Sequence, residues 1–363
     1  MDNHGDFLTI TTTLEDPEWD NFVANTEGGH HVQTSLWAQV KAQLGWKPLR
    51  IVVKQKNSIV AGCQALVHHY RILGNIGYVT KGPLRRIEDP HIIKRIVEQL
   101  LSMCKAHKIK LIAVQPPTNG EFIGNILAEY NFSPSTLELA PAATIIIDVS
   151  IGETGLLKQL QKRTRNDINH GKRAGVVVRK GTEEDLPTFY DLHIDTSKRQ
   201  SFLPYPENYF EAMYRILGSH GYIQLLLSEF NGEPVSAGLV VPFRDTVILK
   251  VLGWSGKYKE VKPNTALLWG ILLWAKDNGY RYVDLEGVNL DGARKFLKGE
   301  PLPETIRNSP DFQKYGYGGQ VILLPEAYDM VFNPVYRWLF HRVKFRVAQH
   351  DFSSKITDLF RKR

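Results

Sequence analysis

At 363 residues the chain is longer than one hydrophobic core normally serves, and 43% apolar with 23% charged residues is ordinary for a folded protein; two domains are expected and disorder is not. No run of 18 apolar residues occurs and Met1–Ile10 carries two aspartates without an apolar stretch, so neither a spanning helix nor a signal peptide is expected, and the cytoplasm is the expected compartment. The net charge of +7 is concentrated in two places, Lys158–Lys180 with eight Lys/Arg against Asp167, and Pro334–Arg363 with eight against Asp351 and Asp358; this points to phosphate, nucleic acid or an anionic membrane surface, with solvated helix faces as the plain alternative.

In chain order, Phe7 to Thr12 reads as a strand, followed by helices opening near Asp16-Pro17 and at Ser35. Leu49 to Val53 and Ile59 to Gly62 flank Asn57-Ser58 as a hairpin, because Asn tolerates positive φ. Cys63 and Cys104 lie in no metal-ligand spacing and read as small core residues; no metal site is expected. Pro90 opens a helix whose Ile92, Ile93, Ile96, Val97, Leu100, Leu101 and Cys104 share one face, and Leu111 to Val114 follows as a strand. The same order then recurs. Val176 to Arg179 is a strand, Thr182 caps a helix with Asp185 three residues on, and Pro206 opens another. Asn231-Gly232 turns a second hairpin between Ile223–Leu227 and Pro234–Gly238, Pro263 opens an apolar helix, and Tyr282 to Leu285 closes the series after the Asn278-Gly279 stop. Strand, helix, helix, three strands, helix, strand, twice over, implies an α/β chain of mixed sheets (α+β in layout). This is the element order of GNAT-type acyltransferases, so the expected fold is two tandem GNAT-like domains. The first covers residues 1–148, joined by the returning segment 322–363, and the second covers 149–321.

The resemblance becomes more specific in short motifs. Lys162-Arg163-Thr164-Arg165 through Ile168, before Gly175-Val176, resembles the basic helix that opens the second domain of the FemABX peptidoglycan-bridge aminoacyltransferases. Gln33-Thr34-Ser35-Leu36-Trp37 with Lys41 and Gly45-Trp46 is similar to that family's first-domain helix, and Tyr78 to Pro83 to its Y-x-x-R/K-G-P loop. Asp284-Leu285-Glu286-Gly287-Val288 and Lys314 to Gly319 resemble its D-x-G-G-V strand end and its F-K-x-x-F-G-G turn. There are departures: Gln313 stands where the turn usually has phenylalanine, Arg85 and Arg86 stand where an acidic residue often follows the Gly-Pro loop, and no long helical arm interrupts the second domain. Exopolysaccharide-pathway acyltransferases share the likeness.

The resemblance implies an acyltransferase, most concretely one that moves an aminoacyl group to an amine of a phosphate-bearing peptidoglycan precursor. Aminoacyl-tRNA, or else acyl-CoA, is then a co-substrate, with no cofactor tightly bound. Such transfer is direct, needing phosphate clamps, a base for the amine and donors for the oxyanion, but no Ser or Cys nucleophile. Lys41 and Lys81 are the phosphate candidates that the family pattern supports, with Gly82 allowing backbone N–H groups to approach. Lys162, Arg163 and Arg165 form a second cluster, on the outer face of a helix whose Leu156, Leu160 and Ile168 make a narrow apolar stripe. Asp284 and Glu286, alternate residues at a strand's carboxyl end, are candidate bases, or else carboxylates satisfied by nearby backbone or arginines. Lys314 is the candidate oxyanion donor by resemblance, and the hydroxyls of Tyr78 and Tyr209 could orient substrate. Thr80–Arg86 and Ser255–Lys262 occupy the place of the pyrophosphate loop R/Q-x-x-G-x-G/A of acyl-CoA enzymes, and neither fits it, which favours the tRNA donor. The expected partners are a UDP- or lipid-linked envelope precursor and, through the aromatic and basic tail from Tyr336, peripheral contact with a membrane surface. Two other readings stand beside this one: an acyl-CoA-dependent N- or O-acyltransferase of exopolysaccharide assembly, and a non-catalytic module that binds nucleotide-sugar or lipid diphosphates.

Overall fold

The Asp16 carboxylate accepts the Trp19 N–H and Pro17 fills the first turn, so helix α1 (Pro17–Ala24) starts where capping chemistry places it, after strand β1 (Phe7–Thr11). The computed structural model describes residues 7–71, 73–135, 139–333 and 336. Thr34 caps α2 (Ser35–Ala42) through the Trp37 N–H. Strands β2 (Lys47–Gln55) and β3 (Ser58–Tyr70) are joined by Lys56 and Asn57, at φ 47° and 66°, the backbone of a two-residue hairpin turn. The turn therefore lies one residue earlier than Asn57-Ser58, because Ser58 already pairs with Gln55. Then come β4 (Gly74–Thr80), β5 (Leu84–Arg85), α3 (Pro90–Ala106), β6 (Ile109–Gln115), α4 (Glu121–Glu129) and β7 (Ser133–Pro134).

The second series contains β8 (Ala143–Asp148), α5 (Gly152–Gln159), α6 (Lys162–Ala174), β9 (Val177–Lys180), α7 (Leu186–Gln200) and α8 (Glu207–Gly218). Its hairpin, β10 (Gln224–Phe230) and β11 (Glu233–Phe243), turns on Asn231 and Gly232 at φ 53° and 77°. β12 (Thr246–Trp254), α9 (Pro263–Asp277) and β13 (Tyr282–Asp284) follow, then α10 (Leu290–Leu297), α11 (Glu304–Arg307), α12 (Asp311–Tyr315), β14 (Gln320–Leu323) and β15 (Tyr328–Val331).

Two mixed sheets result. One runs β1-β2-β3-β4-β6-β15-β7 with β5 paired to β3, the other β9-β10-β11-β12-β13-β8-β14. Strand for strand the orders match: β4 and β6 in one, β12 and β13 in the other, are the parallel pairs, and the remaining neighbours are antiparallel. The chain divides into Met1–Ala140 with the segment from Leu324 onward, and Pro141–Leu323. The division corrects the boundary read from the sequence: β8, counted there with the first domain, pairs with β13 and β14 and completes the second sheet. An apolar run next to a repeat carries no mark of which sheet will take it.

Each unit has its own core. Ile51, Cys63, Ile93, Val97, Cys104 and Val114 pack in the first; Ile145, Leu249, Leu268, Ile271, Val283 and Tyr317 pack in the second. Burial pushes the thiols of Cys63 and Cys104 up to about 12, so neither is a nucleophile at neutral pH. Among the described residues no helix is long and apolar enough to cross a membrane. The tail expected to meet a membrane lies outside the described residues except for Tyr336.

Candidate functional site

In the first unit the parallel pair β4/β6 ends at Thr80 and Gln115, and the chain leaving β4 carries Lys81 at φ 57°, a strained conformation for a side chain of that size. Lys81 is only 6% exposed, and the N–H of Gly82 donates to the Gln115 carbonyl at 3.2 Å. The Thr80 hydroxyl beside it is buried without a hydrogen-bond partner among the described residues. Lys41, in the last turn of α2, is also 6% exposed, with its ammonium 5.6 Å from the centre of the Trp37 ring one helical turn back. The Trp46 N–H donates to the Lys41 carbonyl, and the Trp46 indole meets Tyr78 edge-on at 4.8 Å. Lys41, Tyr78, Lys81 and Gly82 thus sit on connected pieces of structure: α2, the turn after it, and the end of β4. Burying two lysines is costly, and neither lies on a solvated face.

In the second unit the corresponding parallel pair separates early. β13 stops at Asp284, opposite Ile248, while β12 runs on to Trp254. The sequence reading placed Asp284 and Glu286 as alternate residues of one strand; instead Glu286 takes φ 33° and turns out of it. Bonds from three residues hold that conformation. Asp284 Oδ1 accepts the Glu286 N–H at 2.8 Å and also the Thr144 hydroxyl. Lys250 on β12 pairs with Glu286 Oε1 at 2.8 Å. Lys314 Nζ donates to the carbonyls of Glu286 at 2.8 Å and Gly287 at 2.5 Å. The structure therefore brings Asp284, Glu286 and Lys314 into one cluster at the mouth of the diverging strands, where ligands bind in open α/β sheets. Desolvation lowers the Lys314 ammonium from its ordinary range, opposed by the nearby charges of Asp311, Glu286 and Asp284.

The basic helix joins the same turn. Thr164 is buried against Gly316, where an added Cβ would meet Thr164 Oγ1 at 2.1 Å. Gln161 N–H donates to the Gly316 carbonyl at 3.0 Å, and the Arg163 guanidinium lies 5.3 Å from the Phe312 ring. Lys162, Arg163 and Arg165 are exposed; Arg163 faces Asp167 at 4.0 Å and Arg165 donates to the Leu160 carbonyl at 3.2 Å. Tyr209 is drawn into the core instead, 2% exposed and stacked on Tyr205 with ring centres 4.5 Å apart. The residues that sequence reasoning missed are those that hold others in place: Lys250, Thr144, and in the first unit Gln33, Gln64 and Arg50. Gln33 stood within a recognised motif; no local signal marked the rest. Among the described residues no group of His, Cys, Asp or Glu could hold a metal ion.

Comparison with known proteins agrees with this division. Residues 14–122 match the model of the FemAB family and residues 158–295 that of the acetyltransferase (GNAT) domain. A lipid II:glycine glycyltransferase of Staphylococcus saprophyticus is 24% identical over 233 residues, 61% of this chain and 56% of that protein. The enzyme of the same name from Staphylococcus aureus is 24% identical over 229 residues, 60% of this chain and 54% of that one, so the match spans just over half the length of these curated relatives. Among solved structures, FemX superposes with a TM-score of 0.76 at 16% identity over 93% of this chain and all of its own, 100%. A tandem GNAT protein of the clavulanic acid pathway gives 0.57 at 9% identity over 90% of this chain and 99% of its own. The fold is two tandem GNAT-like units.

Proposed function

The chain belongs to the FemABX family, and from that premise we propose that it is an aminoacyltransferase which adds an aminoacyl group to an amine of a phosphate-bearing peptidoglycan precursor. The observation that carries the reading is the Lys314 cluster. An ammonium has three N–H bonds, and Lys314 spends two on the carbonyls of Glu286 and Gly287. The third is left to donate where charge develops.

The precursor amine attacks the ester carbonyl of the aminoacyl donor, and the resulting oxyanion accepts that third N–H. Glu286 is already held by Lys250, so Asp284, whose Oδ2 has no hydrogen-bond partner among the described residues, takes the proton that the amine loses. The carbonyl re-forms, the bond to the donor's ribose oxygen breaks, that oxygen takes the proton held by Asp284 and leaves as the free hydroxyl of the tRNA, and an amide remains on the precursor. Lys41 and Lys81 bind precursor phosphate, with Tyr78 and Gly82 shaping the approach; Lys162, Arg163 and Arg165 offer the second unit's phosphate contacts.

Aminoacyl-tRNA is the favoured donor. The loop after β12, where acyl-CoA enzymes hold pyrophosphate, is occupied by the protein's own Arg199, which reaches the Trp254 carbonyl and lies against Gly256. The precursor is bound in lipid-linked or UDP-linked form at the cytoplasmic face of the membrane; the names of the lipid II:glycine glycyltransferases support the lipid-linked form. Incubation with labelled aminoacyl-tRNA or acyl-CoA, and a panel of UDP- and lipid-linked precursors, tests this. Label should pass from tRNA to a precursor and stop with ribonuclease; transfer from CoA, unaffected by ribonuclease, overturns it.

A further inference from the structure

The ladder between β3 and β4 is regular from Tyr70 opposite Gly74 to Leu66 opposite Tyr78, then stops, although the same register would set Gln64 opposite Thr80. Pairing resumes at Gly62 with Leu84 and Ala61 with Arg85, displaced by two residues, so residues 63–65 of β3 face residues 79–83 across the gap. The side-chain amide of Gln33 fills that gap. Its Oε1 accepts the Gln64 N–H at 2.8 Å, and its Nε2 donates to the carbonyls of Gln64 at 3.1 Å and Thr80 at 2.7 Å. A carboxamide offers the donors and acceptor of a peptide group, so Gln33 stands in for the missing partner while keeping the strands apart.

The surplus residues have to leave the sheet, and these are Lys81, Gly82 and their neighbours. Lys81 reaches its left-handed φ of 57° there, and Gly82 rests on the Gln33 amide, since a Cβ on Gly82 would lie 3.1 Å from Gln33 Cδ and Oε1. The amide is itself fixed from behind. The Trp19 indole N–H donates to the Gln33 carbonyl at 2.6 Å, and Gln64 Nε2 donates to the Thr34 carbonyl at 2.8 Å. Arg50, 0% exposed, donates to Gln64 Oε1 at 2.8 Å and is anchored on Asp16 at 3.0 Å. A fully bonded polar network of this kind fixes one geometry, because each of its alternatives strands a buried donor or acceptor.

We propose that Gln33 is a positioning residue for precursor binding: its amide opens β3 from β4 and so presents Lys81 to the phosphate. The inference rests on the reading of Lys81 as a phosphate ligand. A merely structural glutamine would lower stability and weaken binding by the same factor whether or not Lys81 is present, whereas a positioning residue acts through Lys81. The test is therefore a double-mutant cycle in the full chain, read by calorimetry with a UDP-linked peptidoglycan precursor.

Lys81→Ala should weaken binding by about tenfold to a hundredfold. Gln33→Met, which keeps the length of the side chain and removes its amide, should weaken it by about tenfold in the parent and by less than about twofold in the Lys81→Ala background. Circular dichroism and melting of each variant separate lost affinity from lost fold, and Gly82→Ala, which crowds the amide without removing it, should behave as Gln33→Met does. An equal loss in both backgrounds, or none in the parent, overturns the role of Gln33 while leaving Lys81 in the site. No effect of Lys81→Ala overturns the phosphate assignment itself, and the inference with it.

Discussion

Lys314 is the residue on which the proposed chemistry depends, and its two bonds to the Glu286–Gly287 loop make its removal a test of turnover as well as of shape. Lys314→Met should lower kcat by about a hundredfold or more, roughly 2.7–4 kcal/mol, with the acceptor KM little changed, as for loss of an oxyanion donor. Lys314→Arg should not restore it, because a planar fork cannot place single N–H bonds on two adjacent carbonyls and a third in the site. A Met variant that recovers full rate at saturating precursor would instead make Lys314 a ground-state phosphate clamp. His193 offers a separate residue-scale prediction. It is 3% exposed among Phe189, Phe202 and Phe210, neither ring nitrogen has a hydrogen-bond partner among the described residues, and desolvation lowers it to about 4. The fold holds the neutral imidazole, so the stability it permits is complete above its unfolded value of about 6.5 and is lost as pH falls from there to about 4, by about 3 kcal/mol in all. His193→Phe should flatten that part of the acid limb in melts between pH 7 and 4; an unchanged pH slope would remove His193 as its source. At this scale the sequence singled out Lys41, Lys81 and Lys314 as candidates; the structure buries the first two and bonds the third to the Glu286–Gly287 loop. The sequence was silent where the meaning lies in a partner 31 or 47 residues away, as for the bonds from Gln33 to Gln64 and Thr80.

Two of the motifs that stood out in the sequence turn out to be halves of one contact. Thr164 of the basic helix packs on Gly316 of the glycine-rich turn, Gly318 lies against the Gln159 carbonyl, and Gly319 against that of Ile146, so these glycines admit close approach of backbone and side chain rather than flexibility. Gly316 has φ −71°, a conformation open to any residue, and its substitution is therefore a pure test of space. Gly316→Ala should destabilise the chain by about 1–3 kcal/mol in denaturant unfolding, through overpacking against Thr164. Thr164→Ala in the same chain should recover much of the loss, and additive effects would refute the contact. Element types and starts were readable from caps and proline positions: Asp16-Pro17, Thr34-Ser35, Pro90 and Pro263 all open helices. What failed was the continuation of β13 past Asp284, since alternation of Asp284 and Glu286 says nothing of a φ of 33° that the distant Lys250 and Lys314 enforce together with Asp284.

For the molecule as a whole, the repeat is in the topology rather than in two independent stretches of chain. The slot beside β6 is filled by β15 and the slot beside β13 by β8, and both fillers come from outside the repeated series of elements. A chain ending at Leu323 would leave β6 a bare edge, with its Leu111–Val114 backbone unpaired on that side. Such a chain should aggregate, as measured by light scattering, and a peptide of residues 324–333 added in trans should suppress this; a monodisperse truncation would contradict the arrangement. The tandem order was legible because hairpin and helix signals recur at matched spacing, while the assignment of β8 was not, since pairing across a sheet is decided by the whole set of strands competing for it. The same arrangement sets a timetable. Pro141–Leu323 contains every strand of its own sheet, whereas the sheet begun by β1 waits for β15, and Gln115 meets the Pro325 carbonyl 210 residues later in the chain. On the ribosome the half that is made first is therefore the half that closes last, and its unfinished edge spends most of translation exposed to chaperones.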